Sequence, residues 1–429
     1  MKNKSEKKHT LRRLLLALLA ILIIAFGIFS HFGGFGTGAC ADTDEFARYA
    51  GQIEDIAVPA ATRVVALGEA THGNAEFQQL KLDVFRVLAE KYGVRALALE
   101  GDYGSCEAAN RYIQGGEGTP EEAAAAIGFA IYRTEQMEQL LAWMREYNET
   151  AADEDKLRFY GFDMQRYEYD YRYLLEAAEA LGLDTAALSG LWDDETDGFS
   201  AAFDTEQRAA VITDVKNALL RIDDPTAVQA VHFADVLLQN CELGKVNSSS
   251  DGKALRDRFM AENVLWIMEQ EQALGRSCVF VSAHNGHIEQ NGTYGPDDKV
   301  MGTLLADELG DGYFAIGTDF YKTRCNLAQG RSGKRSVHTF YSHDPLAKAA
   351  KACGYDVSWL DFAAIPEASA LKPQTEDYTW MGSLGDAYSP LMAVFPMAYR
   401  VWRAPAQIYD GMIFVTNAHP TAIRELPAR

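Results

Sequence analysis

Two titratable side chains three residues apart, Glu69 and His72, stand in the stretch Val64-Val65-Ala66-Leu67-Gly68-Glu69-Ala70-Thr71-His72-Gly73. An imidazole titrates near neutral pH and a carboxylate beside it can fix its orientation, so the pair suits proton transfer or metal ligation. A solvated turn or a capping pair uses the same residue types. The pattern recurs, however. Arg95-Ala96-Leu97-Ala98-Leu99 runs into Glu100-Gly101-Asp102, Arg158-Phe159-Tyr160-Gly161-Phe162 into Asp163, and Cys278-Val279-Phe280-Val281-Ser282-Ala283 into His284-Asn285-Gly286-His287.

Each of these short apolar runs reads as a strand that stops at a charged or metal-competent residue. After the first, 76–92 reads as an amphipathic helix with Phe77, Leu80, Val84, Phe85 and Leu88 on one face and Lys81 in its second turn. Strand, tight loop and helix in succession predict an α/β fold with a mainly parallel sheet flanked by helices. Ligands bind at the carboxyl ends of strands in such sheets. Parallel pairing would therefore bring Glu69, His72, Glu100, Asp163, His284 and His287 to one edge from distant parts of the chain. A helix over 253–274 carries Arg256, Met260 and Asn263 at i, i+4 and i+7, hence on one face. An arginine directed from there toward the two histidines would supply fixed positive charge for a developing oxyanion. An ordinary salt bridge is the plainer use of the same residue.

The ordered set Gly68-Glu69-Ala70-Thr71-His72-Gly73 with Glu76-Phe77, Leu99-Glu100, Gly161-Phe162-Asp163, Arg256-Asp257 with Met260 and Asn263, and His284-Asn285-Gly286-His287 resembles the erythromycin esterase family of hydrolases. The likeness runs from about Arg63 to Met301-Gly302 and Tyr313-Phe314-Ala315, with an echo at Tyr409-Asp410-Gly411. It implies ester hydrolysis, with macrolide lactones, and so antibiotic inactivation, as the family's named substrate class. It also carries His72, Glu69, Glu100, Arg256, His284 and His287 over as catalytic residues; Lys81, Asp163 and Asn263 are the candidate substrate-binding residues beside them. Lys81 stands where family members commonly have arginine, which keeps the charge and loses the bidentate fork.

No complete Gly-x-Ser-x-Gly occurs in the chain, and around Ser332 the second glycine is replaced by Lys334. The same loop fails as a phosphate-binding loop, because Ala328 and Arg335 stand where glycine and Ser or Thr are required. An esterase of this kind must activate water directly. His72 would be the general base, Glu69 or Glu100 would hold its other nitrogen, and Arg256, His284 and Lys81 would stabilise the oxyanion. That chemistry needs no cofactor. A divalent metal held by His284, His287, His72 and a carboxylate is the alternative, and a membrane-anchored protein that binds a ligand without turning it over is another.

The first 41 residues differ in kind. Lys2, Lys4, Lys7, Lys8, Arg12 and Arg13 precede an uncharged apolar run over 14–29. This predicts an uncleaved anchor with its basic end in the cytoplasm and the body outside it, or a secreted body if cleavage follows Ala39-Cys40-Ala41. Residues 42–429 are then one large α/β domain, with 174–275 as a largely helical insertion. Removing the six basic and one acidic residues of 1–41 from the chain's 40 and 61 leaves 34 and 60, a net charge of −26. Such a surface excludes nucleic acid as a partner and favours cationic small molecules, a macrolide with an amino sugar among them. Six scattered cysteines offer no CxxC spacing, which removes zinc-knuckle and thioredoxin-type readings. Expressed without its leader, the 42–429 fragment is expected to be soluble and to melt cooperatively; a fragment recovered only as aggregate would contradict the boundary.

Overall fold

A computed structural model describes residues 2–31, 40–296, 298–330 and 333–426. The cleavage-like Ala39 and the loop residues Arg331 and Ser332 lie outside the described residues. The body is built on a ten-stranded sheet. Its strands are β1 (Ala50–Gly51), β2 (Val64–Glu69), β3 (Ala96–Asp102), β4 (Arg158–Asp163), β5 (Val279–His284), β6 (Tyr313–Gln329), β7 (Arg335–Tyr341), β8 (Val357–Asp361), β9 (Ala387–Tyr388) and β10 (Gly411–Ala418). They lie in the order β1-β8-β10-β6-β2-β5-β3-β4, with β7 and β9 paired to the far half of β6. From β10 to β4 every neighbouring pair is parallel. Antiparallel partners are confined to β8 and β1 at one edge and to β7. The fold is thus mixed α/β with a mostly parallel central sheet, as the alternation of strand-like and helical runs predicts.

Strands covered on both faces read as continuous apolar runs, and their period of two divides them between two cores. Val64, Ala66, Ala96, Ala98, Val279 and Val281 belong to one apolar cluster, and their neighbours Val65, Leu67, Leu97, Leu99 and Phe280 to the other. Helices Ala75–Tyr92 and Glu135–Thr150 cover the second face through Phe77, Leu80, Phe85, Leu141 and Met144. The first face is covered by a segment between β4 and β5, with helices Glu168–Ala180, Thr205–Leu219, Pro225–Leu243 and Ser249–Ala273. Leu174, Val215, Phe233, Met260 and Ile267 enter its core. This insertion roofs a face of the sheet as well as flanking its β4 edge.

Because the strands are parallel, β2, β5, β3 and β4 all finish on one side, at Glu69, His284, Asp102 and Asp163. Glu69 is directly opposite His284 in the register, and Asp102 opposite Asp163. Between Leu99 and Asp102 the β3 register shifts, and this bulge places Glu100. The amino-terminal helix, Lys2–His31, contains a stretch, His9–Phe29, long and apolar enough to cross a membrane. Its length and composition fit an anchor and a signal sequence alike.

Gly161 sits where β4 meets the β3 bulge. A Cβ there would lie 2.4 Å from the Gly101 carbonyl oxygen and 2.5 Å from that of Asp102. Backbone cannot yield as a side chain can, so Gly161→Ala is expected to destabilise the fold by about 1–3 kcal/mol. Chemical denaturation checks this, and an unchanged midpoint would show that the bulge is not held by this contact.

Candidate active site

The site begins with a buried carboxylate. Glu69, at the end of β2, is 2% exposed, and its charge is met by two residues three apart on the following helix, hence on one face. Gln78 Nε2 donates to Oε1 at 2.6 Å, and Lys81 Nζ lies 3.2 Å from Oε2. Lys81 also donates to Gln78 Oε1 at 3.1 Å. On the open side, His72 Nδ1 approaches Oε2 to 3.2 Å. Burial pushes the Glu69 carboxyl upward, but the Lys81 charge and the His72 hydrogen bond outweigh it and leave it below its ordinary value. Burial likewise opposes protonation of His72, and the Glu69 hydrogen bond and charge more than reverse it, raising the imidazole above 6.5. Lys81 remains below its ordinary value, because its burial exceeds the help of Glu69 and the more distant Glu100.

A second network is built around Arg256 of the Ser249–Ala273 helix. Its Nε and Nη2 donate to Asp163 at 3.0 and 2.7 Å, a bidentate fork, and Nη2 also reaches Glu100 Oε1 at 2.8 Å. The other Glu100 oxygen accepts the His284 backbone N–H at 2.8 Å. His287 Nε2 lies 3.4 Å from Glu100 and 3.3 Å from Arg256 Nη1. Its Nδ1 comes within 2.8 Å of Asp257 Oδ1, without hydrogen-bond alignment. Burial would raise Glu100, but His287, Arg256 and His72 together hold it well below the carboxylate range. Burial opposes protonation of His287, and Glu100 and Asp257 outweigh it, raising the ring above 6.5.

His284 behaves oppositely. Its Nδ1 accepts the Gly286 N–H at 3.2 Å, which assigns the proton of the neutral ring to Nε2. That Nε2 is buried and has no protein partner. Burial, with the His72 and His287 charges, pushes the ring down to about 3. His72 and His284 rings lie 5.1 Å apart. Both line a cavity of about 340 Å³, together with Glu100, Asp163, Arg256 and His287. Larger clefts exist, one of about 770 Å³ beside Trp266, but they lack such a set of groups.

A model of the erythromycin esterase family matches residues 89–418. The chain belongs to the erythromycin esterase family. Erythromycin esterase type II of Escherichia coli is 25% identical over 354 residues, covering 71% of this chain and 82% of that protein. A Bacillus cereus protein of known crystal structure superposes with a TM-score of 0.72 at 19% identity, covering 90% of this chain and all of the other. A mutant of the erythromycin esterase EreC in its open conformation gives 0.58 at 16% identity, covering 86% and 93%. The two structural likenesses carry the fold. Membership in the family suggests a hydrolase acting on a small molecule.

Of the residues singled out from sequence, Glu100, Asp163, Arg256, His284 and His287 lie within the family match; Glu69, His72 and Lys81 precede it. Two of those read as substrate-binding are elsewhere in this geometry. Lys81, 1% exposed, is enclosed behind Glu69. Asn263 donates to the Phe162 carbonyl at 3.0 Å and pairs with Gln239, tying the insertion to β4. Arg256 has its Nε and Nη2 occupied by carboxylates. Residues 129–132, Gln165, Gly385 and Asp386 complete the cavity lining and carried no strand-end or spacing signal. Among the described residues no three His, Cys, Asp or Glu side chains are grouped to hold a metal. The Arg256 guanidinium lies between Glu100 and Asp163 and pairs with both.

Three neighbouring histidines should titrate unequally. In a histidine NMR titration, His284 is expected to stay neutral down to about pH 3, whereas His72 and His287 keep a proton above pH 6.5. Titration of His284 near 6.5 would show that its surroundings do not keep Nδ1 unprotonated to accept the Gly286 N–H.

Proposed function

We propose that the protein hydrolyses a carboxylic ester or lactone with His72 as general base. The observation that carries this is the pairing of His72 Nδ1 with a buried Glu69 whose other contacts are already fixed, which leaves Nε2 free to take a proton from water beside the neutral His284. In the step proposed, water loses a proton to His72 Nε2 as its oxygen bonds to the ester carbonyl carbon. The carbonyl π pair moves to oxygen, where the His284 Nε2–H stabilises it. The tetrahedral species then expels the alkoxide, which recovers the proton from His72, leaving acid and alcohol. Glu69 fixes the tautomer, and Arg256, through Glu100, fixes the His284 backbone. The absence of a serine elbow agrees with direct water attack.

A volume of about 340 Å³ is at the small end of ligand sites, which run from about 300 to 1,000 Å³. It suits a small ester, or the lactone edge of a macrolide whose remainder lies outside. Asp386 on the lining and the acidic body favour a cationic substrate.

Mass-spectrometric screening of macrolide lactones and simple esters for addition of one water is the direct assay. His72→Ala is expected to lower the rate about 10²–10⁴-fold with little change in Tm, since the ring contributes little to either core. A variant as active as the parent would end the assignment, and a parent that binds an ester without cleaving it would favour a non-catalytic binding role. The base must be neutral to act, so kcat/KM should rise with pH through a value above 6.5. Glu69→Gln removes the charge that stabilises the protonated ring, so that limb should move to lower pH while the rate falls. Dialysis against a strong chelator is expected to leave activity intact, and a loss restored by zinc or manganese would count for the metal alternative.

A further inference from the structure

The apolar amino-terminal helix is seated on the body at one place. Among residues 9–29, Gly27 alone is buried. A Cβ there would fall 1.9 Å from the Val394 carbonyl oxygen and 2.7 Å from Val394 Cγ1, so the close approach depends on glycine. Val394 lies between two turns, Pro390–Ala393 and Pro396–Ala398. These connect the strands of a small antiparallel ribbon, Thr379–Gly382 and Arg400–Arg403. In the ribbon Trp380 is paired with Trp402, their rings 5.2 Å apart, and Tyr378 stacks on Trp402 at 6.2 Å.

The outer surface of this lobe is apolar. Outside the amino-terminal helix, ten large apolar side chains are exposed among the described residues, and four of them, Tyr378, Leu391, Met397 and Trp402, fall within 378–402. Clustering of this kind marks a contact surface, whereas scattered exposed residues need no explanation.

We propose that 378–403 is a membrane-docking lobe that inserts its aromatic and apolar rim into the lipid interface at the outer end of the anchor. The proposal rests on reading the amino-terminal helix as a membrane anchor. Gly27 is two residues from the end of the apolar stretch His9–Phe29, about 3 Å along the axis at 1.5 Å per residue. Val394 is thereby held at the depth of the headgroups. Trp and Tyr favour that depth because their rings are apolar and their N–H and O–H groups can remain hydrated. The body's charge of −26 repels anionic lipid, so the attraction is apolar rather than electrostatic. The same stretch sends Gly385 and Asp386 to the cavity lining. A membrane-dissolved amphipathic ester would reach the cavity through this lobe.

The test uses the full chain reconstituted into phosphatidylcholine vesicles with brominated acyl chains, which quench nearby tryptophans. Quenching is expected in the parent, to be mostly lost in Trp380→Phe/Trp402→Phe, and to persist in Trp143→Phe, whose ring packs on Phe85 at 5.6 Å inside the fold. Met397→Lys, an exposed change outside the ribbon, should weaken quenching without altering the tryptophans. Adding phosphatidylglycerol should bring no gain. If the chain stays with the vesicles through an alkaline wash but the double variant is quenched like the parent, the lobe does not dock although the anchor reading stands. Recovery of the parent in the supernatant overturns both.

Discussion

Arg256 is the group on which the arrangement of the site depends. It comes from the Ser249–Ala273 helix and joins Asp163 at the end of β4 to Glu100 on the bulge of β3. Through Glu100 it also fixes the His284 backbone at the end of β5. Three strands and one helix of the insertion thus meet at a single guanidinium. Buried charges persist only when paired, and loss of one partner leaves the other uncompensated, at about 3–5 kcal/mol. The surroundings sharpen this requirement. Asp102 and Asp170 lie behind the same edge, and burial, together with the Asp163 charge on Asp102, raises both well above the usual carboxylate value. Their charged forms are disfavoured there, while Arg256 offsets the carboxylates of the front row.

The same packing separates three chemically identical rings. His72 and His287 gain carboxylate partners strong enough to outweigh desolvation, whereas His284 turns its Nδ1 to a backbone N–H and faces two raised histidines. Environments that push neighbouring titratable groups apart are how one site can hold a base and a neutral donor at one pH. The distinction comes from second partners, Glu69 with Gln78 and Lys81 on one side and Asp257 on the other.

The strand ends at Glu69, Asp163 and His284 were legible in the sequence because an apolar run that stops at a charged residue can be read locally, and parallel pairing follows from alternation with helices. The helical face bearing Arg256 was legible for the same reason. Distance could not be read in this way. Lys81 and Asn263 have residue types and positions that suit substrate contact, yet each satisfies a buried partner instead, because an uncompensated carboxylate or carbonyl close by is the more costly alternative. Asp386 and the 129–132 segment reach the cavity from loops, where no periodicity signals direction.

By itself, then, the sequence determined the class of fold, the family, the sheet edge that gathers charge and the apolar leader, since each rests on a pattern within a few tens of residues. Only the tertiary structure decided which nitrogen of each histidine is committed, which cations are enclosed rather than free, and that a tryptophan ribbon lies beside the leader. Those depend on contacts between residues as far apart in sequence as Glu100 and Arg256, or Gly27 and Val394. Burial and pairing energies act on such contacts after the chain has folded, and no local spacing encodes them.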